Sequence, residues 1–278
     1  MHEGQQNRYT FGDSARAGHR LGLLAQAYEP ETRSLIERAR RQGCALAVDL
    51  GCGPGHTTRL LHQLLGSERT VGLDSSERYV AEARSSSPAG VEFIRHDITR
   101  EPWPLPRADM LLCRFVLTHL RDPRGALGVW ARAGRPGARL VIHETASLEA
   151  EHPALCRYYA LVAELQRHYG QDLNVGSDFE RLVEGTAWTV EESSIVVLEK
   201  PARVMAALHA MNLVTWRNDP YASDHFDSRE LGELERELSA IAEETEPSAP
   251  VRNEARQAIL RRSRPLPGRA ASSRGHHP

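Results

Sequence analysis

Asp49, Gly51, Gly53 and Gly55 stand in one stretch, Val48-Asp49-Leu50-Gly51-Cys52-Gly53-Pro54-Gly55. Glycines at alternate positions permit positive φ and let a backbone approach a ligand closely. An apolar run precedes this loop and a helical pattern follows it, so the free N–H groups of a helix start face whatever the loop holds. Two more acids follow. Asp74 closes Val71-Gly72-Leu73-Asp74, with Ser75 beside it, and Asp97 sits in Arg95-His96-Asp97-Ile98. An acid ending the second strand accepts from ribose hydroxyls in dinucleotide folds. A carboxylate just past the third strand has the chemistry to accept from an adenine amino group. Each acid alone is equally a solvated loop residue or a helix cap. Three in register, each at a strand end, point to a nucleotide-like ligand.

The elements that must position these residues alternate. Helical patterns run over 14–27, where Leu21, Leu24 and Ala25 share a face and Ser14 is placed to cap, and from Pro30 to about residue 41. Strands are predicted at 45–50, 71–73, 91–94, 110–113 and 139–143. Helices are predicted at 56–65, from 77 onward and at 123–133. That order implies parallel β-α units in one sheet with helices on both faces. After Thr145 the pattern changes. Helices are predicted at 152–169, 177–184, 202–213 and 228–243, a strand at 193–198, and a last edge strand at 258–260. The Pro-, Gly-, Ser- and Arg-rich stretch from Arg264 has the composition of a disordered tail.

The loop, with Asp49, Gly51, Gly53 and Gly55, resembles the first motif of class I S-adenosylmethionine-dependent methyltransferases. It differs from the G-x-G-x-x-G of NAD enzymes, whose third glycine comes one place later. Ala108-Asp109-Met110-Leu111-Leu112-Cys113-Arg114 resembles the family's fourth-strand motif, and Arg135-Pro136-Gly137-Ala138-Arg139-Leu140 the turn before its fifth strand. The resemblance covers about residues 45–145. It implies a Rossmann-like, mostly parallel seven-stranded α/β sheet with helices on both faces and a helical cap insertion. Asp74 and Ser75 are then expected at the ribose, Asp97 and Ile98 at adenine, and Arg114 on the cofactor side. The cofactor is S-adenosyl-L-methionine, the product S-adenosyl-L-homocysteine, and no metal is implied. Tyr9-x-Phe11-Gly12 and Gly18-His19-Arg20-Leu21 resemble a small-molecule subgroup whose N-terminal segment folds over the cofactor. Arg20 suits the methionine carboxylate in charge and shape, and is equally a surface helix arginine.

On these grounds the chain divides into a helical arm or lid (1–44), the cofactor-binding core (45–147), and a cap insertion (148–226) with one core strand near 189–198. A C-terminal helix and last core strand (227–263) and the tail (264–278) follow. Methyl transfer is an in-line displacement, so the protein mainly aligns nucleophile and methyl. A base is needed only where the acceptor must lose a proton. Candidates are Glu144 and His143 at the end of the fifth strand, His119 after the fourth, His19 and Tyr9. Half of the aromatic residues lie between Tyr158 and Phe226, where the β-α alternation is broken. A cap with those rings is expected to enclose a small, flat, apolar acceptor. Phe11, His19, Tyr158, Tyr159, Trp216 and Tyr221 are its candidate contacts.

Composition narrows the partners. Net charge is -2, and Lys200 is the single lysine among 35 basic residues, a bias that suits a GC-rich bacterial genome. No global field draws nucleic acid or an anionic membrane. No apolar run approaches the ~20 residues of a membrane span. The polar start lacks a signal's apolar stretch, and the four cysteines are dispersed, so a cytoplasmic chain with free thiols is expected. Arg114-Phe115-Val116 stands where amino-group DNA methyltransferases carry an Asn/Asp-Pro-Pro-aromatic turn. The expected activity is methylation of a bacterial natural product, with an indole nitrogen or carbon 3 as one target. O-methylation of a phenol or carboxylic acid, protein methylation and a non-catalytic cofactor-binding module are the alternatives. The chain is expected to be a monomer or homodimer, the charged helix at 228–243 facing an interface or solvent.

Overall fold

The computed structural model describes residues 10–245 and 248–263. Two helices lead: α1 (Ala15–Ala27), capped by the Ser14 hydroxyl, and α2 (Glu29–Ala39), with Pro30 in its first turn. The alternating part follows as β1 (Leu46–Leu50), α3 (His56–Leu65), β2 (Arg69–Asp74), α4 (Glu77–Ser85), β3 (Val91–Arg95), β4 (Ala108–Arg114), α5 (Pro123–Ala133) and β5 (Gly134–Glu149). The rest comprises α6 (Pro153–His168), α7 (Phe179–Val183), β6 (Trp188–Lys200), α8 (Ala202–Trp216), α9 (Pro220–His225), α10 (Ser228–Glu243) and β7 (Val251–Arg262).

The seven strands form one sheet in the order β3-β2-β1-β4-β5-β7-β6. The first five are parallel, and β7 runs antiparallel between β5 and β6. The period-2 alternation of strands splits the core into two faces. Leu46, Val48 and Leu50 of β1, with Leu111, Leu140 and Leu260, turn toward α5, where Trp130 is fully buried. Ala47, Met110, Leu112, Val141 and Ile259 turn toward Leu35 and Ile36 of α2 and Leu61 of α3. All five residues of β1 are buried, as both faces of a parallel strand are when helices cover them.

The second half differs from expectation in two places. The strand foreseen at 258–260 as an edge is twelve residues long and interior; the edge is β6, whose Val190, Ile195 and Val197 are exposed. Helix α10 is expected with the last core strand. Its stripe Leu231, Leu234, Leu238 and Ile241 buries instead into a third core with Leu155 and Tyr158 of α6 and Leu208 and Leu213 of α8. The cap is therefore a helical layer, α6, α8, α9 and α10, standing over the C-terminal ends of the parallel strands. Lys200, at the end of β6, is buried. Its Nζ donates to Ala27 O (2.6 Å) and Glu31 Oε1 (2.8 Å) and lies 4.6 Å from the Tyr28 ring centre. That contact fixes the α1–α2 corner, and Tyr28 with it. Among the described residues no helix is long and apolar enough to cross a membrane. The tail 264–278 lies outside the described residues.

Candidate active site

A cleft of about 920 Å³ opens at the C-terminal ends of β1, β2 and β4, between the sheet and the cap. One end is the glycine loop. Gly51, Gly53 and Gly55 all have positive φ (67°, 52° and 85°), a conformation L side chains resist. A Cβ on Gly51 would stand 2.8 Å from Val116 Cγ2, and one on Gly55 2.5 Å from Phe93 Cζ. Gly51 and Gly53 line the cleft, whereas Gly55 is turned into the packing beneath it as the N-cap of α3. Asp74 ties this loop to β2. Its Oδ2 accepts from Gly53 N (2.8 Å) and its Oδ1 from Ser76 N (2.8 Å). Burial raises its pKa, and those N–H donors work against the rise. Asp74 and Ser75 line the cleft, as do Asp97 and Ile98. Asp97 Oδ1 also accepts from the Thr99 amide and hydroxyl, which fixes its loop.

Asp49 does not line the cleft. It is buried behind the loop, where Oδ2 accepts from Thr57 Oγ1 (2.8 Å) and Thr58 Oγ1 (2.7 Å), tying β1 to the start of α3. Burial pushes its pKa up to about 6. Arg114 and Arg20 both line the cleft. Arg114 Nη1 is buried with no hydrogen-bond partner among the described residues. Arg20 is buried on α1, its guanidinium 5.3 Å from the Phe11 ring centre.

The candidate bases separate. His119 lines the cleft beside Phe11, ring centres 5.5 Å apart, with Nδ1 3.3 Å from Gln166 Nε2. Burial, with Arg20 nearby, lowers its pKa to about 3, so the ring is neutral. His143 and Glu144 are both 0% exposed and neither lines the cleft. His143 packs against Phe115 and Tyr28, which do line it, and burial lowers its pKa to about 3. Glu144 Oε1 accepts from Val116 N (2.7 Å) and Leu117 N (2.8 Å). It braces the turn after β4, where Phe115 takes a φ of 53°. Burial raises its pKa to about 7. A position foreseen as basic machinery is thus a strut under the cleft floor, because the strand pleat aims the side chain at that turn. Tyr9 lies outside the described residues.

On the cap side, Phe11, Tyr158 and Tyr159 line the cleft. His19 does not; it is exposed on α1. Trp216 is 1% exposed within the cap's own core, against Tyr158 and Phe226. Tyr221 lies outside the cleft, stacked between His168 and His225. Residues not singled out from sequence complete the wall: Tyr28, Met205, His209, Asn212 and Asn253. His209 and Asn212 carried a readable signal, as the two polar residues within Met205–Leu213 of an otherwise apolar helix. Tyr28 and Asn253, at a helix corner and on β7, carried none. Their hydroxyl and amide meet at 2.7 Å.

A family model described as a methyltransferase domain matches residues 48–142. Trans-aconitate 2-methyltransferase of Azoarcus sp. (strain BH72) is 36% identical over 111 residues, 40% of this chain and 43% of that protein. The enzyme of the same name from Acidovorax ebreus (strain TPSY) is 31% identical over 164 residues, 58% of this chain and 57% of its own length. The chain spans less than half the length of the first of these curated relatives. Among solved structures, the cyclopropane synthase MmaA2 from Mycobacterium tuberculosis shares the fold, with a TM-score of 0.56 at 16% identity over 86% of this chain and 85% of that one. The matched domain runs from Val48 within β1 through the glycine loop and β4, the elements around which the cleft is built. That domain and this sheet are similar to those of class I S-adenosylmethionine-dependent methyltransferases, and the likeness lies in residues 48–142.

Proposed function

We propose that the protein transfers a methyl group from S-adenosylmethionine to a small, largely apolar acceptor, of the kind met in bacterial natural products. The observation that carries this is one continuous cleft with a glycine loop and two strand-end acids at one end and aromatic rings of the cap at the other. Its volume is at the upper end of the ~300–1,000 Å³ of small-molecule sites, which suits two ligands side by side. The residues present fit the cofactor. Arg114 Nη1, without a partner among the described residues, matches a carboxylate, and Asp74, with two backbone N–H bonds, keeps lone pairs for ribose hydroxyls. Bound there, S-adenosylmethionine supplies an electrophilic methyl carbon and a neutral thioether leaving group. Asp74 and Ser75 hold the ribose, Asp97 and Ile98 the adenine, and Arg114 with Arg20 the amino-acid end. Phe11, Tyr158 and Tyr159 align the acceptor and exclude water.

His119 and His209 line the cleft with pKa values near 3, far from the range of an efficient general base at neutral pH. That favours a nucleophile reactive without prior proton loss: an electron-rich ring carbon such as indole C3, an amine, or an ionised carboxylate. The carboxylate is a second reading. It is favoured by the name of the curated relatives.

The test is a mass-spectrometric assay with methyl-deuterated S-adenosylmethionine and a panel of indoles, phenols, carboxylic acids and amines. Label in an indole or amine product supports the first reading, and label in a methyl ester the second. S-adenosylhomocysteine binding without label in any small molecule overturns both. The weight then moves to a macromolecular acceptor or to a binding module.

A further inference from the structure

The cap wall of the cleft contains a polar stripe that the methyl-transfer chemistry does not use. Met205, His209 and Asn212 recur at helical spacing on α8, and all three line the cleft. Residues three and four apart on a helix are neighbours, about 5–6 Å between Cβ atoms. His209 is 8% exposed and Asn212 6%. His209 is fixed on three sides. Its ring stacks on Tyr158 (centres 4.2 Å, planes 21°), meets the Tyr159 ring edge-on, and puts Nε2 3.0 Å from Tyr159 Oη. The remaining nitrogen, Nδ1, is buried with no hydrogen-bond partner among the described residues, and so is Asn212 Oδ1. Asn253 Oδ1 is a third such atom on the same cleft. Its Nδ2 donates to Tyr28 Oη, which in turn reaches Met205 Sδ at 4.0 Å. Burying one polar atom without a partner costs about 1–3 kcal/mol, so three around one cavity call for a ligand that satisfies them.

We propose that His209 and Asn212 form a recognition site for a hydrogen-bond donor, an N–H or O–H, on the body of the methyl acceptor. In the tautomer that carries its proton on Nε2 and donates it to Tyr159 Oη, Nδ1 presents a lone pair alongside Asn212 Oδ1. Burial and the nearby Arg20 keep His209 uncharged, with its pKa lowered to about 3, so the lone pair is available across the working pH range. A carboxylate fits this end poorly, since it brings only acceptors to acceptors. The cap thus selects among flat acceptors by a donor edge as well as by shape. A ring N–H and a phenolic O–H are the two forms of that edge.

This inference rests on the small-molecule reading above, and its test separates the two. Binding is measured by calorimetry on the full chain saturated with S-adenosylhomocysteine, using indole against N-methylindole and phenol against anisole. At least one donor-bearing probe is expected to bind roughly tenfold to hundredfold more tightly than its methylated partner. That ratio should fall to within about threefold in Asn212→Leu and in His209→Phe, with S-adenosylhomocysteine affinity unchanged. The two variants act independently, so a folding failure in one leaves the other to decide. A ratio preserved in a folded variant, equal binding of methylated and unmethylated probes, or no binding of either donor-bearing probe overturns the inference. Loss of S-adenosylhomocysteine binding by the wild-type chain would instead overturn the methyl-transfer reading.

Discussion

Glu144→Gln separates a catalytic carboxylate from a structural one. Glu144 is fully buried, accepts two backbone N–H bonds through Oε1, and leaves Oε2 without a partner among the described residues. Its pKa stands at about 7 folded, against an ordinary value of 4.5. A raised carboxyl pKa means that the folded state holds the proton more tightly than the unfolded chain. Stability from this group is fully present below about pH 4.5 and is lost as pH rises toward and through 7. Integrating between those two values, ionisation costs the fold about 1 kcal/mol at pH 5 and about 3 kcal/mol at pH 8. Glutamine does not ionise, and its carbonyl still accepts from Val116 and Leu117. Its amide places N–H donors where Oε2 found no partner, a cost of about 1–3 kcal/mol that is the same at both pH values. The difference in stability between variant and wild type should therefore shift by about 2–3 kcal/mol toward the variant from pH 5 to pH 8. Urea denaturation followed by tryptophan fluorescence at both pH values measures this directly. Turnover should stay within about threefold of wild type, whereas loss of a general base costs about 10²–10⁴. Parallel pH dependence in the two proteins would refute the buried-strut account. A collapse of turnover with the turn intact would restore Glu144 as the base.

Two further outcomes follow from the loop. Asp74→Asn retains shape but loses the charge and one acceptor, so the S-adenosylhomocysteine Kd by calorimetry should rise about tenfold to hundredfold; unchanged affinity would remove Asp74 from the site. Gly55→Ala forces a Cβ at a φ of 85° and 2.5 Å from Phe93 Cζ, and should lower unfolding stability by about 2–4 kcal/mol in urea, with an unshifted midpoint contradicting it.

The cofactor half of the cleft was legible because its signals are local. A strand, three spaced glycines and a helix start lie within one short stretch, Asp74 ends β2, and Asp97 follows two residues after β3. The acceptor half was less so because its wall is assembled at long range. Tyr28, His209 and Asn253 come from an N-terminal corner, a cap helix and the last strand. Trp216 sits among polar neighbours in sequence, yet α8 runs on to include it, which turns its ring into the cap's core rather than the cleft. Tyr221 belongs to α9, a short helix that no period announced, and lies outside the cleft. Glu144 is expected at the end of the fifth strand, and β5 runs on past it to Glu149. The direction of Glu144 depended on the Phe115 turn, which presents two N–H groups from a neighbouring connection.

The position of β7 has a consequence for synthesis. Strands β1 to β5 pair in parallel using only residues up to Glu149, so that half of the sheet is available early. Among the described residues β6 pairs with β7 alone. With about 50 residues between the end of β6 and the start of β7, and elongation at about 5–20 residues per second, β6 waits roughly 3–10 s on the ribosome unpaired. Through that interval both it and β5 present open edges, and Val190, Ile195 and Val197 are exposed on β6 even in the finished protein. Such edges template pairing with other chains. The last strand therefore closes a window of aggregation, and loss of residues 251–262 would leave that window permanently open.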